Sequence, residues 1–156
     1  MKKLRSNRGF TLTELLVSLA IVGLIGVAIA AGMPTAMKVY RQATLTAEAS
    51  TLSGSLTNLI ADELRFSSSV TGSGDTLRFD SMNYGSQVTL TSESGRILLG
   101  ETALLPDSAY TSELLADVAL QYENHLFRIT LTLYTFDGDT AQTWAKQTFS
   151  VAPLNM

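Results

Sequence analysis

The chain contains no cysteine among its 156 residues. A disulfide framework, a thiolate metal site and a cysteine nucleophile are thereby excluded. It has one histidine, His125, so no site can be built on two imidazoles. Charged side chains are scarce, at 16% against 46% hydrophobic, a balance that argues against a disordered chain. The length predicts one folded domain. Basic charge is nearly missing from most of the chain. Four of the 11 basic residues, Lys2, Lys3, Arg5 and Arg8, lie in the first eight positions, and all 14 acidic residues follow them. Beyond position 8, 7 basic side chains face 14 acidic ones. Such a body has no general attraction for nucleic-acid phosphates. A P-loop, a dinucleotide fingerprint, a nucleophile elbow and a metal motif are all missing from the sequence. No cofactor is expected, and the sequence points away from catalysis.

What the chain does have is one long apolar run. Leu15 to Met37 holds no charged residue. Residues 15–33 alone would span about 28 Å as a helix, close to the roughly 30 Å hydrocarbon core of a bilayer. A helix satisfies its own backbone polar groups in lipid, so a membrane-spanning helix is the simplest reading. The basic cluster on its N-terminal side places the N-terminus in the cytoplasm and the C-terminal body outside. Three readings compete. The segment is a plain anchor; or it is a secretory signal, with Ala28-Ile29-Ala30 as an A-x-A cleavage site; or its acid, Glu14, has a purpose. A carboxylate at the edge of an uncharged span is costly, and such acids mark function and call for a cation. Hydrolysis of the Gly9–Phe10 bond would create one, a new α-amino group on Phe10.

The order of these residues carries a resemblance. A Lys-rich leader, Gly9, then Phe10-Thr11-Leu12-Thr13-Glu14-Leu15-Leu16 and an apolar helix resemble the class III signal of type IV pilins and pseudopilins. The match covers about residues 2–34. It implies removal of leader residues 1–9 by a prepilin peptidase that cuts after Gly9 and N-methylates Phe10. It also implies that Glu14 is the acid used in assembly, with residues 10–34 as the transmembrane and assembly helix and 35–156 as an extracytoplasmic globular domain. Implied partners are the peptidase/N-methyltransferase, other pilin subunits, an assembly platform protein, indirectly an assembly ATPase, and the membrane. The product would be a structural subunit, not an enzyme, of a type IV pilus or related filament. A pseudopilin of a type II secretion or competence system is the alternative. Many pilins carry a kinking proline nearer mid-span; here Pro34 stands three residues later, and Ala31 occupies the common position. Outside the family, a membrane-anchored binding protein and a secreted enzyme cut after Ala30 are the rivals.

The physical logic of Glu14 stands without the family. A neighbour displaced by about one helical turn brings its Glu14 beside the Phe10 ammonium, an attraction far stronger in a dry environment than in water. Because buried pairs add little net stability, the pairing acts chiefly on register. Small residues such as Ser18, Ala20, Gly23, Gly26, Ala28 and Gly32 allow close helix approach. The glycines, with Pro34, also weaken the helix over 23–34.

Downstream, Leu45, Leu52, Leu56, Leu59, Ile60 and Leu64 form a one-sided apolar stripe on a helix expected to end near Phe66. Gly54 costs this helix about 1 kcal/mol relative to alanine. Residues 67–75 read as a linker or exposed loop. Alternation predicts strands at 76–80, 87–91, 96–99, 118–123, 127–133 and 143–151, with 106–116 as a helical turn or loop. Phe127, Ile129, Leu131 and Leu133 should face the helix, leaving a Thr-rich face wet. The expected architecture is α+β and pilin-like, a long N-terminal helix against an antiparallel sheet. Four further features have ordinary readings. His125 belongs to a turn. Asp137-Gly138-Asp139 is a hairpin turn, lacking the spaced ligands of a calcium loop. Asp62 and Glu63 diverge on a solvated helix face, and Trp144 packs in the core or at a sheet edge.

Overall fold

The computed structural model describes residues 10–110 and 113–154. The chain divides into two compact units, Met1–Gln42 and Ala43–Met156. One helix, α1 (Leu12–Arg65), contributes residues to both.

In the first unit, α1 presents only exposed side chains. It is the one helix among the described residues that is long and apolar enough to cross a membrane. Pro34 lies inside it. Proline has no N–H to give the Ala30 carbonyl, yet the helical assignment continues through it.

The second unit is built on the remainder of α1 and, among the described residues, nine strands. Leu45, Ala49, Leu52, Leu56, Ile60 and Leu64 are buried. Their steps of three and four keep them on one helical face. Leu59, part of the expected stripe, is 38% exposed; Ala49 takes a place in the core instead. The helix ends on local acceptors. The Leu64 carbonyl accepts the Ser67 hydroxyl at 2.7 Å, and the Arg65 carbonyl accepts the Leu154 N–H at 2.8 Å. These bonds occupy carbonyls that a helix end leaves unpaired.

The strands form three antiparallel three-stranded sheets, not one. The first joins β1 (Ser68–Thr71), β2 (Arg78–Ser81) and β3 (Gly85–Val88). The second joins β4 (Leu90–Glu93), β5 (Arg96–Leu99) and β6 (Thr102–Ala103). The third joins β7 (Leu115–Glu123), β8 (Leu126–Asp137) and β9 (Thr140–Val151), with β8 in the centre. Its central strand alternates as expected: Phe127, Ile129, Leu131 and Leu133 are no more than 1% exposed and share one core with the α1 stripe. On the opposite face, Thr130 and Thr148 are joined through their hydroxyls at 3.1 Å. The long helix and its antiparallel sheets make the fold α+β, in agreement with the pilin-like architecture.

Three local expectations are corrected. Residues 68–71 are a strand, not a loop; this short, polar element has Ser69 at φ 54° and a register shift against β2, so its alternation is broken. The run 87–91 is divided between β3 and β4, which belong to different sheets. Strand β7 begins at Leu115, inside the stretch read as a turn or loop, while a helical turn there covers Asp107–Ala109.

Candidate processing and assembly site

Helix α1 opens with a reciprocal cap. Thr11 precedes the first helical residue, and its hydroxyl accepts the Glu14 N–H at 3.3 Å. In return Glu14 Oε2 accepts the Thr11 N–H at 2.9 Å and the Thr11 hydroxyl at 2.8 Å. This is a capping box, the Thr-x-x-Glu arrangement that satisfies N–H groups a helix start leaves without partners. An acid in the first turn also complements the helix dipole. Ser18 then returns its hydroxyl to the Glu14 carbonyl at 2.8 Å. Sequence reasoning fixed on Glu14 as an acid in an apolar context and passed over Thr11. The signal for Thr11 was present, since a threonine three residues before a glutamate at the head of an apolar run is the capping pattern.

Of the expected site residues, Gly9 lies outside the described residues. Phe10 is 82% exposed, and Glu14 is exposed on the first turn. Beyond them, Gly23, Gly26 and Gly32 have open space where a Cβ would sit, so no contact within the chain requires glycine there. An apolar helix that buries none of its span leaves its whole hydrophobic surface to be covered by lipid or by other helices.

The remaining candidates fall into structural positions. Asn124 and His125 are the two central residues of the β7–β8 turn, with φ of 52° and 60°, the positive pair of a type I′ hairpin. Gly138 and Asp139 turn β8 into β9, with Gly138 at φ 60°. Trp144 is half-buried at the register shift of edge strand β9, and its indole N–H donates to Thr135 Oγ1 at 2.8 Å. Glu63 departs from expectation. Instead of facing only solvent, its carboxylate accepts the Ser81 hydroxyl at 2.8 Å and the Asn83 amide at 2.5 Å, fastening the β2–β3 turn to α1. Among the described residues no three His, Cys, Asp or Glu side chains gather into a metal-binding group.

Residues 4–30 match the family model described as the prokaryotic N-terminal methylation motif. Comparison with curated proteins and with solved structures gives no match. The matched segment contains Gly9, Phe10, the capping box and most of the apolar run. The chain therefore has a type IV pilin-like prepilin signal. That motif supports a structural protein of pilin or pseudopilin type, anchored in the membrane by its apolar helix. It implies processing by a prepilin peptidase and assembly with other pilins.

Proposed function

We propose that this chain is a prepilin that becomes a structural subunit, of the minor class, in a type IV pilus or related filament. The observation that carries the reading is a coincidence. The methylation motif coincides with a helix that carries no charge over residues 15–37 and is exposed along residues 12–42. Such a surface is stable first in lipid and then against the equivalent helices of neighbours. In this scheme the leader, residues 1–9, stays on the cytoplasmic side. A prepilin peptidase cuts after Gly9 and methylates Phe10. Residues 10–34 span the membrane and then pack in the fibre, and residues 35–156 decorate its surface outside the cytoplasm. A platform protein and an assembly ATPase drive extraction.

Glu14 sets the register. Cleavage leaves a cationic amine on Phe10, and a neighbour displaced by one turn offers its Glu14 to that cation. Misplaced neighbours leave a carboxylate unpaired in a dry environment, which is strongly unfavourable. A pseudopilin role in secretion or DNA uptake is the second reading. The lack of any cysteine fits this reading and the minor class alike, since many major pilins close a C-terminal loop with a disulfide. The test is genetic. In cells lacking the prepilin peptidase, the chain should stay in the membrane at full length, with none in sheared surface fibres. Recovery of the full-length chain in fibres from such cells would overturn the proposal.

A further inference from the structure

The second unit has a groove of about 410 Å³ beside α1. Its helical lining includes Ala47, Glu48, Thr51 and Ser55, and Leu105 and Leu114 from outside α1 complete it. Ala47, Thr51 and Ser55 recur every four residues, so the helical wall is a row of small side chains that lets another helix come close. The hydroxyls of Thr51 and Ser55 are turned back onto the carbonyls of Ala47 and Thr51, at 3.0 and 3.1 Å. Those polar atoms are thus spent within the helix, and the groove is left mainly apolar. Glu48 is the exception. It is half-buried at the groove wall and makes no hydrogen bond or ion pair with any described residue. A half-buried carboxylate on an apolar wall is best satisfied by a cation arriving with an apolar body.

The chain itself contains such a body. Met33, Ala36 and Met37 lie on an exposed stretch of α1, and Lys38 is the first charge after the uncharged run. Lys38 also has no partner among the described residues. We infer that this groove receives the segment around Met33–Lys38 of a second copy of the chain, with Lys38 of that copy paired to Glu48. The inference rests on the proposed entry of this chain into a fibre, and adds that two copies of it stand side by side there. Copies inserted in one membrane share an orientation, so their helices run parallel. A displacement of ten residues, about 15 Å of helix rise, sets Lys38 against Glu48 and Met37 against Ala47. That differs from the single-turn displacement that pairs Phe10 with Glu14, so the two contacts join different neighbours in the array.

The chain has no cysteine, which permits a clean cross-linking test. Two full-length variants, Ala47→Cys and Met37→Cys, are co-expressed, and sheared fibres are treated with a short bis-maleimide. A dimer of this chain that forms only when both variants are present is expected. In parallel, Glu48→Lys and Lys38→Glu should each lower incorporation into fibres about fivefold, the upper range for one ion pair, and the double variant should restore it. Fibres that contain both cysteine variants without the dimer, or with a cross-link only to a protein of different mass, overturn the inference while leaving assembly intact. Failure of the unmutated chain to enter fibres overturns the assembly reading, and this contact with it.

Discussion

Glu14 folds back over Thr11, its Oε2 lying 2.9 Å from the Thr11 main-chain nitrogen and 2.8 Å from the Thr11 hydroxyl. The carboxylate of Glu14, four residues after Phe10, is therefore held against Thr11 at the start of α1 before any neighbour arrives. The cap satisfies its hydrogen bonding but leaves its charge. The observed helix cap and the proposed charge pairing between subunits would thus meet in one side chain, and they are separable by substitution.

Glutamine at position 14 keeps the capping box, because its carbonyl still accepts from Thr11, but removes the charge. Alanine removes both. The account predicts that Glu14→Gln and Glu14→Ala are processed at Gly9 yet fail alike in fibre incorporation. Thr11→Val loses about 1 kcal/mol of capping and should assemble far better than either. Incorporation measured by immunoblot of sheared fibres checks the order. Wild-type assembly by Glu14→Gln would reduce the carboxylate to a cap.

Gly9→Val places a branched side chain at the proposed cleavage position. The precursor should accumulate at full length in membranes, nine residues heavier than the mature form on a gel. Efficient maturation of this variant would contradict the assigned site.

The core stripe makes a paired stability prediction. Leu56 is fully buried and Leu59 is 38% exposed, though they lie three residues apart. Leu56→Ala should destabilise the folded unit by about 2–5 kcal/mol, the cost of a vacated core site. Leu59→Ala should cost less than about 1 kcal/mol. Urea denaturation of the detergent-solubilised chain, followed by tryptophan fluorescence, distinguishes the two.

Gly95 turns β4 into β5 with φ of 75°, and a Cβ there would overlap the Leu115 side chain. The same turn offers its carbonyl to the Ala116 N–H at 2.9 Å, tying the second sheet to the third. Gly95→Ala meets both an unfavourable backbone conformation and a clash, so a loss on the order of 2 kcal/mol is expected in the same denaturation assay.

Asp80 supplies a pH prediction. The Gln87 main-chain N–H, donating at 2.8 Å, and then the Ser69 hydroxyl hold its carboxyl below the ordinary value of 3.8. A group whose folded pKa is lowered contributes stability above its unfolded value and loses it as pH falls toward the folded one. The β2–β3 contact should therefore hold at neutral pH and loosen only below about pH 4. The Gln87 amide resonance should track that transition, and Asp80→Asn should flatten it.

Much of this was legible in the sequence. The alternation of Phe127, Ile129, Leu131 and Leu133 predicted the inner face of β8 because a period of two has one structural solution. The spacing of Leu45 to Leu64 likewise predicted the helical stripe, with Leu59 misplaced because periodicity marks a face but not its width. Strand β1 was missed because SSVT has one apolar residue and a left-handed Ser69, so pairing to β2, not local pattern, makes it a strand. The division of one expected sheet into three depends on long-range pairing that no window of residues encodes. Glu63 read as a surface acid because its partners, Ser81 and Asn83, are 18 and 20 residues away. At the candidate site, composition identified Glu14, while the cap that Thr11 forms with it lay in a spacing that was passed over.

The central claim is that the Gly9–Phe10 bond is cut and the new amine modified, and mass spectrometry of the membrane-extracted chain tests it most directly. The account predicts a mature N-terminal peptide beginning at Phe10 and carrying one N-methyl group. A chain that begins at Met1, as a simple anchor would, or at Ala31, as a secreted protein cut after Ala30 would, contradicts it.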